Sequence, residues 1–143
     1  MTGHMTAADL GLDLTEGADD QLFRWFLASL LFGRPIQQEV AARTCGVLIA
    51  HGLTGPAGFA RYDREGLRAL LDEGHYARLD YIMTDELHEV MWKLAAEHGS
   101  VGAMVRSAAS REELTATLVA FKGIGPTTAE IFLRELPASV LPR

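Results

Sequence analysis

Cysteine is almost absent: Cys45 is the single one in 143 residues. One cysteine cannot close an internal disulfide, complete a cysteine-rich zinc site or hold a four-cysteine iron–sulfur cluster. No apolar run approaches the roughly 18 residues that a membrane-spanning helix needs, so no membrane partner is expected. The opening residues, Met1-Thr-Gly-His-Met5 and then polar and acidic positions, do not read as a secretory signal, and a cytoplasmic location is the expectation. Alternating strand patterns, internal repeats and low-complexity segments are missing too. Nor is there an excess of basic charge. The 19 acidic residues outnumber the 13 basic ones and leave a net charge of −6. That balance argues against a whole-molecule electrostatic grip on nucleic acid.

What is present is the composition of one soluble globular domain, 48% apolar and 22% charged, long enough to bury a core. The charge is uneven. Fifteen acidic and eight basic residues lie at or before Gly99, whereas four acidic and five basic residues follow it. The last third of the chain is therefore its least acidic part.

Residues 1–18 read as a flexible N-terminal segment and residues 19–143 as one helical domain. Asp19 or Asp20 can cap a helix running to Phe32, with Leu22, Phe23, Phe26, Leu27, Leu30 and Leu31 at helical spacing. Gly33-Arg34-Pro35 breaks it, and a second helix carries Ile36, Val40, Ala41, Val47 and Leu48 to His51-Gly52. A short piece spans residues 57–62, and Asp63 caps a helix with Leu67, Leu70 and Leu71. The longest candidate covers residues 76–98, with an apolar stripe of Leu79, Ile82, Met83, Leu87, Val90, Met91, Leu94 and Ala95. A brief helical turn covers residues 101–106. Ser110 with Glu113 three residues on is a capping box for the next helix. The expectation is an all-α compact bundle of about six or seven short helices.

The most informative segment is Phe121-Lys122-Gly123-Ile124-Gly125-Pro126-Thr127-Thr128-Ala129, with helical pattern on each side. A helix opened by proline after glycine leaves backbone N–H groups unpaired and aimed outward. The macrodipole adds partial positive charge there, and glycine removes the Cβ that would hold an anion away. Turn amides of this kind form an anion-binding concavity without a basic side chain.

This order of residues resembles the helix-hairpin-helix motif, which grips the DNA backbone in many repair proteins. With the short helices before it, roughly from residue 20 to residue 136, the chain looks like the DNA glycosylase superfamily that contains endonuclease III, the adenine glycosylases and the alkylbase glycosylases. Gly123, Ile124, Gly125, Thr128 and Ala129 fit the family pattern. The resemblance implies that the amides of Gly123, Gly125 and Thr127 face phosphate oxygens of double-stranded DNA. Thr128 would add a hydroxyl bond or cap the second helix, which Pro126 opens. Lys122 would add one salt-sensitive contact. A sodium or potassium ion would sit on the carbonyl oxygens of Val119, Phe121 and Ile124. None of these groups reads bases, so binding would be independent of sequence. Phe32, beside Gly33-Arg34, falls where the family sends a wedge into the duplex.

The chain also departs from the family. An essential aspartate follows the hairpin in its members, and none follows it here up to Arg143. The lysine of lyase-active members is replaced by Thr127, which excludes Schiff-base chemistry at that place. The cysteine cluster is missing. The implied protein is a catalytically deficient DNA-binding member, serving recognition or scaffolding in base-excision repair. An alternative is an active monofunctional glycosylase, without lyase activity, that uses a displaced carboxylate such as Asp80, Asp85 or Glu89. A second alternative is a protein-interaction or self-associating module (a homodimer, for example) that does not bind DNA.

The remaining candidates have plainer readings. Asp80, Asp85, Glu86 and Glu89 read as a solvated face of the long helix. Asp85, His88 and Glu89 have the i, i+3, i+4 spacing of metal ligands but need a second helix to complete a site. His51 and His98 sit at helix ends, where they complement the dipole. Phe23, Trp25 and Phe26 read as core, and Cys45 as a small apolar residue within a helix.

Overall fold

Helix α1 (Asp19–Phe32) is apolar on nearly every side, with Leu22, Phe23, Trp25, Phe26, Leu27, Ala28, Leu30 and Leu31 all buried. A helix of that composition has to be surrounded by others, and α1 is the axis of the molecule. The computed structural model describes residues 5–76 and 78–141. Around α1 are α2 (Gln38–Ala50), α3 (Pro56–Phe59), α4 (Arg64–Glu73), α5 (Asp80–Glu97), α6 (Val101–Ser107), α7 (Arg111–Val119) and α8 (Pro126–Arg134). Helices α2, α6 and α8 pack directly on α1, and α5 packs on α3 and α4. The described residues are all-helical and contain no strand. They hold eight α-helices rather than six or seven, because the short pieces at Pro56 and Val101 both close into helical turns. Among them no helix is long and apolar enough to cross a membrane.

Several boundaries differ from the sequence expectation. Asp19 and Asp20 lie in the first turn of α1, after Ala18, and make no cap there. Their charge still complements the macrodipole. Helix α5 starts at Asp80 rather than Tyr76, because His75 takes a left-handed φ of 68° and turns the chain after α4. Tyr76 instead plunges into the core and donates its hydroxyl to the Leu31 carbonyl at 2.8 Å. Burial of that phenol pushes its pKa up. Residues 5–18, expected to be loose, lie along the body: Ala7 and Leu14 are buried in the core. Polar contacts tie this segment to α8 and its flank: the Ala7 amide donates to Glu135 Oε1 at 2.9 Å, and Arg134 donates to the Met5 carbonyl at 3.1 Å. Buried apolar side chains and satisfied backbone groups offset the ordering entropy that polar composition suggested would win. Residues 1–4 of that segment lie outside the described residues.

The far end of the chain is bolted to α1 by aromatic rings. Phe26 meets Phe132 of α8 edge-on, with ring centroids 5.7 Å apart at 88°, and meets Phe121 at 6.2 Å and 63°. Trp25 donates its indole N–H to the Phe132 carbonyl at 3.1 Å. Each such ring contributes about 2–3 kcal/mol by leaving water. The connection between α7 and α8 is thereby packed against the core through Phe121.

Candidate nucleic-acid interface

Helix α7 begins with a side-chain cap. Ser110 Oγ accepts the Glu113 amide at 3.0 Å, and the Glu113 carboxylate accepts the Ala109 amide in return. The serine half is that of the capping box expected from the sequence, while the glutamate reaches one residue further back, to the amide before the N-cap. At the other end of α7 the chain turns through residues 120–125, where the Ile124 amide closes onto the Phe121 carbonyl at 3.1 Å. Gly123 has φ +97°, a conformation that side-chain-bearing residues rarely adopt. A Cβ there would also stand 2.6 Å from Glu86 Cδ. Both observations require glycine.

Helix α8 begins differently. Gly125 occupies the N-cap in extended conformation, Pro126 takes the first helical position, and no side chain caps the helix. The Ala129 amide reaches the Gly125 carbonyl at 3.1 Å, so the first intrahelical bond forms there. Thr127 is exposed, whereas Thr128 is buried against Gly33 at the end of α1. The close approach of these two elements depends on the missing Cβ of Gly33. Gly123, Ile124, Gly125, Pro126, Thr127 and Thr128 together line one open cleft of about 460 Å³, and Gly33 and Arg34 form its other wall. Lys122 lies around the corner, exposed, in an adjoining cleft of about 380 Å³ with Arg34, Ile82, Asp85, Glu86, Glu89 and Gly123.

Two charged residues at this corner escaped the sequence reading. Arg34, from the turn between α1 and α2, forms an ion pair with Glu86 of α5. Glu86 is only 7% exposed, so it does not belong to the solvated face assigned to it. Its Oε1 makes no hydrogen bond and relies on the Arg34 contact. The signal was available in part: Glu86 stands three residues after Met83 and four before Val90, both buried. Ile82, placed on the apolar stripe, is 56% exposed instead. Met83, Leu87, Val90, Met91 and Leu94 are buried as the stripe predicts, so the phase of the helix holds and only the edge of its buried face differs. Trp92 is exposed on the same helix.

Asp80 and Asp85 of α5 have partners away from the hairpin. Asp85 accepts two bonds from Arg64, at 2.9 and 3.0 Å, and the Arg64 hydrogen bond holds its carboxyl below the ordinary value. Asp80 is 3.2 Å from Arg68. Burial acts against its charge, yet hydrogen bonds with Asp72, Arg68 and the Tyr81 amide bring its pKa below the ordinary value. Glu89 is exposed. His88 Nε2 lies 2.9 Å from the Tyr62 carbonyl, so Asp85, His88 and Glu89 do not converge. Among the described residues no group of three His, Cys, Asp or Glu could hold a metal ion.

Of the carbonyls assigned to a monovalent cation, that of Phe121 already accepts the Ile124 amide. Lys93 Nζ donates to the neighbouring Ala120 carbonyl at 3.0 Å and lies 5.1 Å from the Phe121 ring centroid. A positive charge thus covers the C-terminal end of α7, where the macrodipole favours one. Phe32 is half-buried, with its ring 6.1 Å from that of Trp25. It lines a third cleft with Thr127, Glu130, Ile131 and Arg134, beside the hairpin mouth. Phe23, Trp25 and Phe26 are core residues, as read. His51 and His98 occupy the C-cap positions of α2 and α5. Cys45 is buried, and desolvation pushes its thiol up to about 12, which leaves it protonated and inert at neutral pH. No protein-family model, curated protein or solved structure matches this chain.

Proposed function

We propose that this protein binds double-stranded DNA through the phosphate backbone, independently of sequence, with the turn between α7 and α8 as its contact. One observation carries the reading: six consecutive residues, Gly123 to Thr128, line a single open cleft at a helix start that no side chain caps. The donors left there suit a phosphodiester oxygen. Arg34, paired with Glu86, and Lys122 place a cationic side chain on each side of the turn, with Asp85 and Glu89 also lining the cleft on the α5 side. The likeness of the hairpin residues to the helix-hairpin-helix of the DNA glycosylases supports duplex DNA as the ligand. Membership of that superfamily, and a supporting role in base-excision repair, belong to the same proposal.

The role is binding rather than excision. A glycosylase needs a carboxylate free to stabilise the sugar cation that develops in the transition state. Here Asp80 and Asp85 are held by arginines and Glu86 is committed to Arg34; Glu89, the remaining candidate, lines the cleft beside Lys122 rather than the one at the α8 start.

Fluorescence anisotropy of a labelled duplex at low and moderate salt tests the proposal. Binding is expected at low salt, with equal affinity for unrelated sequences. A slope of log K against log salt of about −1 to −2 corresponds to one or two phosphates neutralised. Absence of binding at both salt concentrations would falsify it.

A further inference from the structure

We infer that Arg34 is the side chain that fixes a DNA phosphate at the hairpin mouth, with Glu86 as its positioning residue. The inference rests on the proposed backbone binding and names the group that anchors it. Three independent placements converge on Arg34. Its turn is pressed onto the start of α8, because Gly33 has no Cβ where the Thr128 side chain sits. Arg34 lines both the cleft at the uncapped helix start and the cleft on the α5 side, so it stands where the two meet. Buried Glu86 engages Arg34 Nη2 from beneath, while 30% of the arginine side chain stays exposed.

A guanidinium has five N–H donors in a planar fork. One carboxylate oxygen at Nη2 leaves the other edge for a second acceptor, and a phosphodiester matches that fork. Glu86 makes no hydrogen bond of its own at Oε1, so the carboxylate depends on Arg34 remaining in place. A buried charge that depends on one partner restrains that partner strongly. Arg34 is thereby pre-oriented and loses little freedom when DNA arrives. Lys122, exposed on a flexible stem, has no such restraint and supplies a looser contact.

The test is duplex binding by anisotropy across a salt series, with circular dichroism and thermal melting to confirm folding. Since Arg34→Ala alone would strand Glu86, the informative variant is the double Arg34→Ala/Glu86→Ala, with Arg34→Lys beside it. The double variant is expected to bind at least about tenfold more weakly, and its salt slope to fall by about one. Arg34→Lys keeps the charge but not the fork, and is expected to lose several-fold. Glu86→Ala is expected to weaken binding several-fold and shift the Arg34 Nε–H resonance into that of exposed arginines, and Glu86→Gln, which keeps an acceptor, to restore both. A folded double variant that binds within twofold of wild type, with the same slope, overturns the role of Arg34. An unmoved Arg34 resonance and unchanged affinity in Glu86→Ala overturn the positioning role. A wild-type protein that does not bind duplex overturns the parent proposal, and this one with it.

Discussion

Ser110 closes the start of α7 with its own hydroxyl, whereas Gly125 leaves the start of α8 without a side chain. The two helices are neighbours, joined by one turn and of equal length. At the first, Ser110 accepts the Glu113 amide and the Glu113 carboxylate accepts the Ala109 amide, so an acceptor and a negative charge already stand at that start. At the second, glycine and proline set the backbone for a helix but offer no acceptor, so the donors face an open cleft. Residue type at the N-cap decides whether a helix start carries its own side-chain acceptor, as at Ser110, or leaves that place open, as at Gly125. Under the proposed function, the open start is the one that takes the phosphate.

The contrast can be broken in three ways, from the largest expected effect to the smallest. Gly123→Ala forces a side chain into a left-handed backbone position and against Glu86, and is expected to cost about 2 kcal/mol of stability. Urea denaturation reads this directly; a loss below about 0.5 kcal/mol would show that the turn tolerates another conformation. Gly125→Asp turns the start of α8 into a capped start like that of α7. A Cβ at Gly125 meets nothing within 4 Å and its φ of −96° is ordinary, so the substitution fits. It is expected to raise stability by a few tenths of a kcal/mol while weakening duplex binding at least about tenfold, about 1.4 kcal/mol. Unaltered affinity would mean that the α8 donors do not hold the phosphate. Ser110→Ala removes the α7 cap, and is expected to lower stability by about 1 kcal/mol with DNA affinity unchanged. If affinity fell with it, the two helix starts would not be separable as described.

Much of this was legible from local pattern. The Ser110–Glu113 box, the glycine–proline start of α8 and the core aromatics of α1 each depend on residues within one or two turns of each other. In α5 the centre of the apolar stripe, Met83, Leu87, Val90, Met91 and Leu94, is buried as its spacing predicts, but the edge of the buried face is not legible. Ile82 is exposed and Glu86 buried, because the Arg34 partner that makes burial of Glu86 tolerable comes from the turn after α1, far from α5 in the chain. The N-terminal segment is held in place for a related reason. Its polar composition said nothing of Glu135 and Arg134, more than a hundred residues away, which tie it down.

Sequence by itself determined that the chain is helical, where α7 and α8 begin, and that α8 begins with its donors unclaimed. These follow from backbone propensity and capping, which act over a few residues. Only the tertiary structure decided what faces those donors: the Gly33–Thr128 contact, Arg34 at the meeting of two clefts, and Glu86 beneath it. These groups come from the end of α1, the turn after it, α5 and α8. Their meeting depends on how whole helices rotate to bury their apolar sides, a balance struck across the entire core that no local spacing encodes.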